Sequence, residues 1–381
     1  MNKSQFDIAI DRYQSDSERY NVKKGFIPLT IADTDFITAK SVLDAIKNRA
    51  EHPLLGYPKL NEEWKKECAD FYQRRFGLSL NIDKIGYASS VLAIIDAFLF
   101  RFTKPSDGVV VTGPVYNCFY SCIEHTGRKV VDVPIKDNRL DFLALEEAFK
   151  TNKAMVLCSP HNPLGIGFGK EDLDRLFLLA KEYGVIILSD EIHGLLSLDY
   201  AYTPSLSLPS AVSNVIMAVS PSKAFNTAGI HAAMFACLDQ NLFDQIQEQL
   251  FYLDTGEPNV FAQPVLESAY REGDGYLDAL LSYLKDNRAY LYEKLNRIPG
   301  LKMEKAPFTY LAWIDTRDIC LDEKELLPYL EDAGVGLAPG SHYGKYGKGF
   351  LRLNFATPKA ILMEAIKRIE IALARYKEEH R

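Results

Sequence analysis

The chain has 381 residues, 47% of them hydrophobic and 25% charged, the balance of an ordinary globular protein rather than a disordered or fibrous one. Its formal charge of −7, with both signs interspersed, argues against nucleic acid or an anionic membrane as the main partner, and no apolar run reaches the ~20 residues that cross a bilayer. The opening MNKSQFDIAIDRYQSD lacks an apolar secretory core, so a cytoplasmic location is expected, with the six cysteines as buried thiols.

In chain order, residues 1–45 hold no complete domain and are expected to pack with the C-terminal part. From about residue 85 to 240, short β-branched runs alternate with longer amphipathic ones. GVVVTG (108–113), KVVDVPI (129–135), AMVLCS (154–159), VIILSD (185–190), NVIMAV (214–219) and AAMFACL (232–238) read as strands, with helices near 116–125, 141–150 and 170–183. Strands that are apolar throughout suit a sheet covered on both faces, and their alternation with helices predicts an α/β fold with a mostly parallel, doubly wound sheet. Asp141 before FLALEEAFK and the acids of Lys170-Glu-Asp mark helix starts. A long helix near 276–297 leads to a smaller α+β part. There KMEKAPFTYLAWID and GKGFLRLNFAT read as strands, and 322–333 and 358–378 as helices. The expected division is 1–45 packing with the small domain, 46–285 as the large domain and 286–381 as the small one.

Open α/β sheets bind ligands beyond the carboxyl ends of their strands. There the sequence places Pro114-Val-Tyr116, Pro160-His-Asn-Pro-Leu-Gly165, Asp190-Glu-Ile-His193 and Ser220-Pro-Ser-Lys223. An aromatic ring, an amide, a carboxylate, an imidazole and a lysine thus gather on one edge. Cys118, Cys122 and His125 would share a helix face, but no fourth ligand accompanies them, so no metal site is expected. PGSHYGKYGKG and LGIGFGK fit neither nucleotide-binding glycine motif.

The motifs IADTDF (31–36), LGYPKL (55–60), GPVYNCFY (113–120), SPHNPLG (159–165), SDEIH (189–193), SPSKAFNTAG (220–229), PGSHYGKYGKGF (339–350) and LRLNFA (351–356) run in order over nearly the whole chain. In them the chain resembles fold-type-I pyridoxal-phosphate enzymes of the class I/II aminotransferase superfamily, and among these the MalY/PatB-like cystathionine β-lyase branch. The resemblance implies pyridoxal 5′-phosphate as cofactor and an amino acid as substrate. It also implies a homodimer with a shared active site.

By the same resemblance, Lys223 holds the cofactor's aldehyde and acts as general base. Asp190 keeps the pyridine nitrogen protonated, and Tyr116 stacks on the ring as part of the catalytic set. Asn162 and His193 line the ring. Ser89, Ser90 and Val91 before an apolar helix, with Ser220 and Ser222, bind the phosphate, assisted by Tyr57 reaching over from a partner subunit. Arg352 clamps the substrate carboxylate, with Tyr57, Asn162 and Asp33 nearby. Two positions depart from the pattern. Ser90 stands where glycine is more usual, and His231 where many members carry arginine.

The expected reaction is β-elimination on cystathionine or a related cysteine S-conjugate, giving a thiol, pyruvate and ammonia. Transamination of an amino acid would use the same residues. A regulatory role with incidental catalysis is a third reading.

Overall fold

The computed structural model describes residues 3–13 and 15–380. β1 (Ile27–Pro28), α1 (Lys40–Glu51) and α2 (Glu63–Phe76) precede β2 (Ile85–Ala88) and α3 (Val91–Phe102). Regular alternation follows: β3 (Gly108–Gly113), α4 (Asn117–His125), β4 (Lys129–Pro134), α5 (Phe142–Phe149), β5 (Ala154–Cys158), α6 (Lys170–Glu182) and β6 (Ile186–Asp190). Next come β7 (Val215–Val219), the single turn α7 (Ser222–Phe225), β8 (Ala233–Cys237), α8 (Gln240–Tyr252), α9 (Ala262–Glu272) and α10 (Asp274–Leu295). The C-terminal part holds β9 (Lys302–Met303), β10 (Leu311–Asp315), α11 (Leu327–Asp332), β11 (Val335–Gly336), β12 (Ala338–Pro339), β13 (Phe350–Asn354) and α12 (Lys359–Glu379).

β2 to β8 form a seven-stranded sheet in the order β2-β8-β7-β6-β5-β3-β4. Only β8 runs against its neighbours. The period of two in a strand sends alternate residues to opposite faces. Val110, Met155, Leu157, Ile187 and Met217 enter the larger core. Val109, Val111, Val156, Leu188 and Ile216 enter a second one beneath α3, α4 and α8. Both faces are dry, which is why these strands read as unbroken apolar runs.

A four-stranded sheet, β12-β13-β10-β9, carries the C-terminal part, and β1 pairs in parallel with β11. Asn354 N–H donates to the Leu29 carbonyl at 3.0 Å, so the N-terminal segment is laid against β13.

Some expected elements differ. KMEKAPFTYLAWID is not one strand: Pro307 and the left-handed Thr309 (φ 64°) separate β9 from β10. The helix expected over 322–333 is a 3₁₀ turn followed by the short α11, with Pro328 in its first turn where a missing N–H costs nothing. α1, α2, α8 and α9, and β2 with its four residues, were not legible beforehand. α2 is rich in charge (EWKKECADFYQRRF), and its apolar stripe is narrow.

Candidate active site

The carboxyl ends of β3, β5, β6 and β7 meet the start of α3 and the Arg352 side of β13 around a cavity of about 480 Å³. The loop ahead of α3 contributes Ser89, Ser90 and Val91 to its wall. Ser90 is the N-cap, its Oγ accepting from Ala93 N–H at 3.0 Å, and its φ of −160° is extended backbone that any residue adopts. The serine therefore fits without the conformational freedom of glycine. Ser220 and Ser222 flank this end. Ser220 Oγ donates to the Ala232 carbonyl at 2.7 Å and accepts Ser222 N–H at 3.1 Å. His231 joins them on the wall, in left-handed backbone (φ 54°).

Lys223 lies in α7, and its Nζ donates to the Ala32 carbonyl at 2.8 Å. Burial lowers its pKa, and Arg352 lowers it further against the pull of Asp33 and Asp190. Asp190, the last residue of β6, is buried. Its Oδ1 accepts Ile192 N–H at 3.0 Å, and burial pushes the carboxyl up to about 6 against that bond and Lys223. His193 is buried on the same wall with no partner for Nδ1 among the described residues. Burial, then Lys223 and Arg352, hold it well below the usual imidazole range.

Asn162 follows β5 and accepts from Arg352 Nη1 at 3.0 Å through Oδ1, which leaves its amide donors free to face the cavity. Arg352 is 5% exposed, donates also to the Thr30 carbonyl, and lies 4.8 Å from the Tyr343 ring centre. Its Nε has no partner among the described residues. Tyr116 caps α4 against Phe119 and lines the cavity, and burial followed by Cys118 raises its hydroxyl pKa.

Two expected residues stand elsewhere. Asp33 is absent from the wall because its carboxylate is held by Arg12 at 2.6 Å and Arg19 at 3.0 Å. Its neighbour Asp35 bridges the same two guanidiniums. Tyr57 is 100% exposed on the loop after α1 and does not line the active-site cavity of its own chain.

Sequence reading missed the segment Thr30–Ala32, which forms one wall. Tyr310 Oη, Asn354 Nδ2 and Asn226 Nδ2 pin the backbone of residues 31–36 over Lys223. Tyr343, which lies inside a quoted motif, was not singled out by itself. Cys118 and Cys158 line the cavity. Among the described residues no group of three His, Cys, Asp or Glu side chains is placed to hold a metal.

The cavity is thus polarised. Hydroxyls and a helix N-terminus at one end suit an anion. A buried carboxylate suits a protonated heteroatom, and a desolvated amine suits a carbonyl carbon. A buried guanidinium suits a carboxylate.

A lysine and an acid beyond the carboxyl ends of a mostly parallel, doubly wound sheet place the chain among the α/β proteins that bind their ligand at that edge. The sequence pattern of the class I and II aminotransferases matches residues 24–369, and the chain belongs to that family. It is 34% identical to cystathionine beta-lyase PatB of Bacillus subtilis, over 91% of this chain and 92% of that one. It is 30% identical to protein MalY of Escherichia coli, over 95% and 93%. The crystal structure of cystalysin from Treponema denticola, which contains a pyridoxal 5′-phosphate cofactor, superposes with a TM-score of 0.93 at 27% identity, covering 97% of this chain and 98% of that one.

Proposed function

We propose that this chain is a pyridoxal-phosphate-dependent carbon–sulfur β-lyase acting on cystathionine or a related cysteine S-conjugate. The observation that carries the reading is the convergence of Lys223, Asp190 and Arg352 on one cavity whose far end is lined by hydroxyls. The cofactor, when bound, supplies an electrophilic aldehyde and an electron-withdrawing ring.

Ser89, Ser90 and Ser222, with the N–H groups opening α3, would hold the phosphate, while Ser220, its hydroxyl proton given to the Ala232 carbonyl, would brace Ser222 beside it. The Asp190 carboxylate would hold a proton at the ring nitrogen, a cationic partner that would restore its own ionised form against burial. Asn162 would donate to the ring oxygen, and Tyr116 and His193 would cover the ring. Arg352 binds the substrate carboxylate, its charge kept by the guanidinium's high intrinsic pKa.

Lys223 is the base. Burial favours its neutral amine, which accepts the Cα proton of the bound amino acid. The electron pair freed at Cα forms a Cα=Cβ bond as the Cβ–S bond breaks, and the pair of that bond leaves with sulfur, which takes up a proton to become the thiol. Hydrolysis of the remaining three-carbon unit gives pyruvate and ammonia. Incubation of the holoprotein with cystathionine is expected to yield pyruvate and a free thiol in equal amounts. Formation of the substrate's own keto acid, with no thiol, would instead identify an aminotransferase.

The finer organisation belongs to the same proposal. Residues 1–45 pack with a small domain, 286–381, beside the large domain, 46–285, in keeping with the β1–β11 pairing. Two copies form a dimer in which Tyr57 enters the partner's site, in keeping with the exposed Leu54, Leu55 and Tyr57 on one loop. The compartment is the cytoplasm, in keeping with six free cysteines and with the absence, among the described residues, of a helix able to cross a membrane.

A further inference from the structure

Residues 29–36 belong to no helix or strand, yet every carbonyl from Pro28 to Thr34 accepts a hydrogen bond. Apart from the bond at Leu29, the donors are side chains. Irregular backbone packed against a core has to find such partners. Ala32 has two of them, one for each lone pair of its carbonyl: Tyr310 Oη at 3.1 Å and Lys223 Nζ at 2.8 Å.

Just past Ala32 stands a square of charge. Arg12 holds Asp33 at 2.6 Å and Asp35 at 2.8 Å, and Arg19 holds the same two carboxylates at 3.0 and 3.1 Å. Arg19 and Asp35 are buried, and the square answers its own charges, two guanidiniums against two carboxylates. The arginines also grip the backbone on both sides of Ala32. Arg19 donates through Nε to the Pro28 carbonyl at 2.7 Å and through Nη1 to the Asp33 carbonyl at 3.2 Å. Arg12 Nη1 reaches the Thr34 carbonyl at 3.1 Å. None of the four residues lines the active-site cavity.

We infer that the square of Arg12, Arg19, Asp33 and Asp35 is a positioning device for the base: it fixes the Ala32 carbonyl as the seat on which Lys223 Nζ rests while it carries a proton. The inference rests on Lys223 as the base of the proposed reaction and adds the residues that aim it. An ammonium has only N–H donors to offer, so a fixed carbonyl favours the charged form and keeps the nitrogen in place once it has taken up the Cα proton. Burial and Arg352 favour the neutral amine that must accept that proton. The seat and its surroundings thus pull in opposite directions, as a group that both takes and returns a proton requires.

The test uses Arg19→Lys and Arg12→Lys, which keep every charge but lose the fork that spans two carboxylates and a carbonyl. Arg352, Asp33, Asp190, Cys118 and His193, the charged and titratable groups facing Nζ, are untouched. The full chain, freed of cofactor, is treated with formaldehyde and cyanoborohydride over a range of pH, and methylation of each lysine, which needs the neutral amine, is read by peptide mass spectrometry. With its seat displaced, Lys223 loses one hydrogen bond to its charged form, so its midpoint should fall by about one pH unit, the other lysines keeping theirs. In the holoenzyme, loss of the Cα deuterium of labelled cystathionine to water should slow at least about tenfold, the scale on which a misplaced group costs rate. Arg12, its side chain 18% exposed, gives the milder variant, which decides alone where Arg19→Lys does not fold. A Lys223 midpoint that stays put in the folded variants, or one that moves together with the lysines at large, overturns the seat. Absence of pyruvate from the wild type with cystathionine removes the lyase reading instead, and the methylation midpoint still decides the seat.

Discussion

In the proposed reaction one nitrogen, Lys223 Nζ, both holds the cofactor and moves the Cα proton. Lys223→Ala should therefore lower pyruvate release from cystathionine by at least about a thousandfold, within the range general acid–base groups supply. Its circular dichroism spectrum should be unchanged, since the side chain ends in a cavity. Arg352→Lys keeps the charge and loses the fork. Without a bidentate match, kcat/KM should fall about tenfold to a hundredfold, mostly through KM. The place of Lys223, Asp190 and Asn162 on the cavity wall was readable in advance because each lies at or within a few residues of the carboxyl end of a strand whose apolar letters announce it. Thr30–Ala32 were not, because their place opposite Lys223 depends on Asn354, Tyr310 and Asn226, which are far away in sequence.

The first turn of α3 is where helix physics and ligand binding share a residue. Ser90→Ala removes the cap to Ala93 N–H and should cost about 1 kcal/mol in urea unfolding, whereas Ser90→Gly should cost only a few tenths. Both should weaken cofactor retention in dialysis, because the hydroxyl faces the cavity as well. The turn after α7 makes a second element-scale case. Asn226 (φ 56°) donates to the Thr34 and Phe36 carbonyls and accepts Thr34 N–H. Asn226→Gly keeps the backbone geometry and deletes those bonds, so amide exchange over residues 30–36 should quicken while the rest of the chain stays protected.

Beneath the site, Glu191 is buried and accepts from Tyr202 Oη and from Ser205 N–H at 3.2 Å. Burial raises its carboxyl from 4.5 to about 7. The fold thus prefers the protonated acid. Its contribution is complete below about pH 4.5 and is lost as the pH rises through 7. Glu191→Gln should gain on the wild type by about 3 kcal/mol between pH 4.5 and 7.5 in urea titrations. His161 works the other way. Burial lowers it from 6.5 to about 4, so its stabilisation is present above 6.5 and lost as the pH falls toward 4. At the scale of the assembly, Leu54→Asp with Leu55→Asp should shift the sedimenting species from twice the chain mass to one, and lyase activity should fall with it.

The identity of six of the seven strands of the large sheet and the residues at their ends followed from the sequence, because a strand covered on both faces must be apolar throughout and its polar punctuation falls where the sheet stops. The likeness to a known family followed for the same reason, since its motifs sit at those ends. Other features needed the tertiary structure. Asp33 became an ion-pair partner of Arg12 and Arg19, Tyr343 came to rest on Arg352, and β8 turned antiparallel. The 341–345 loop was set against α4. Each of these is a contact between segments far apart in the chain, selected by packing and charge once the sheets had met, and no local pattern encodes it.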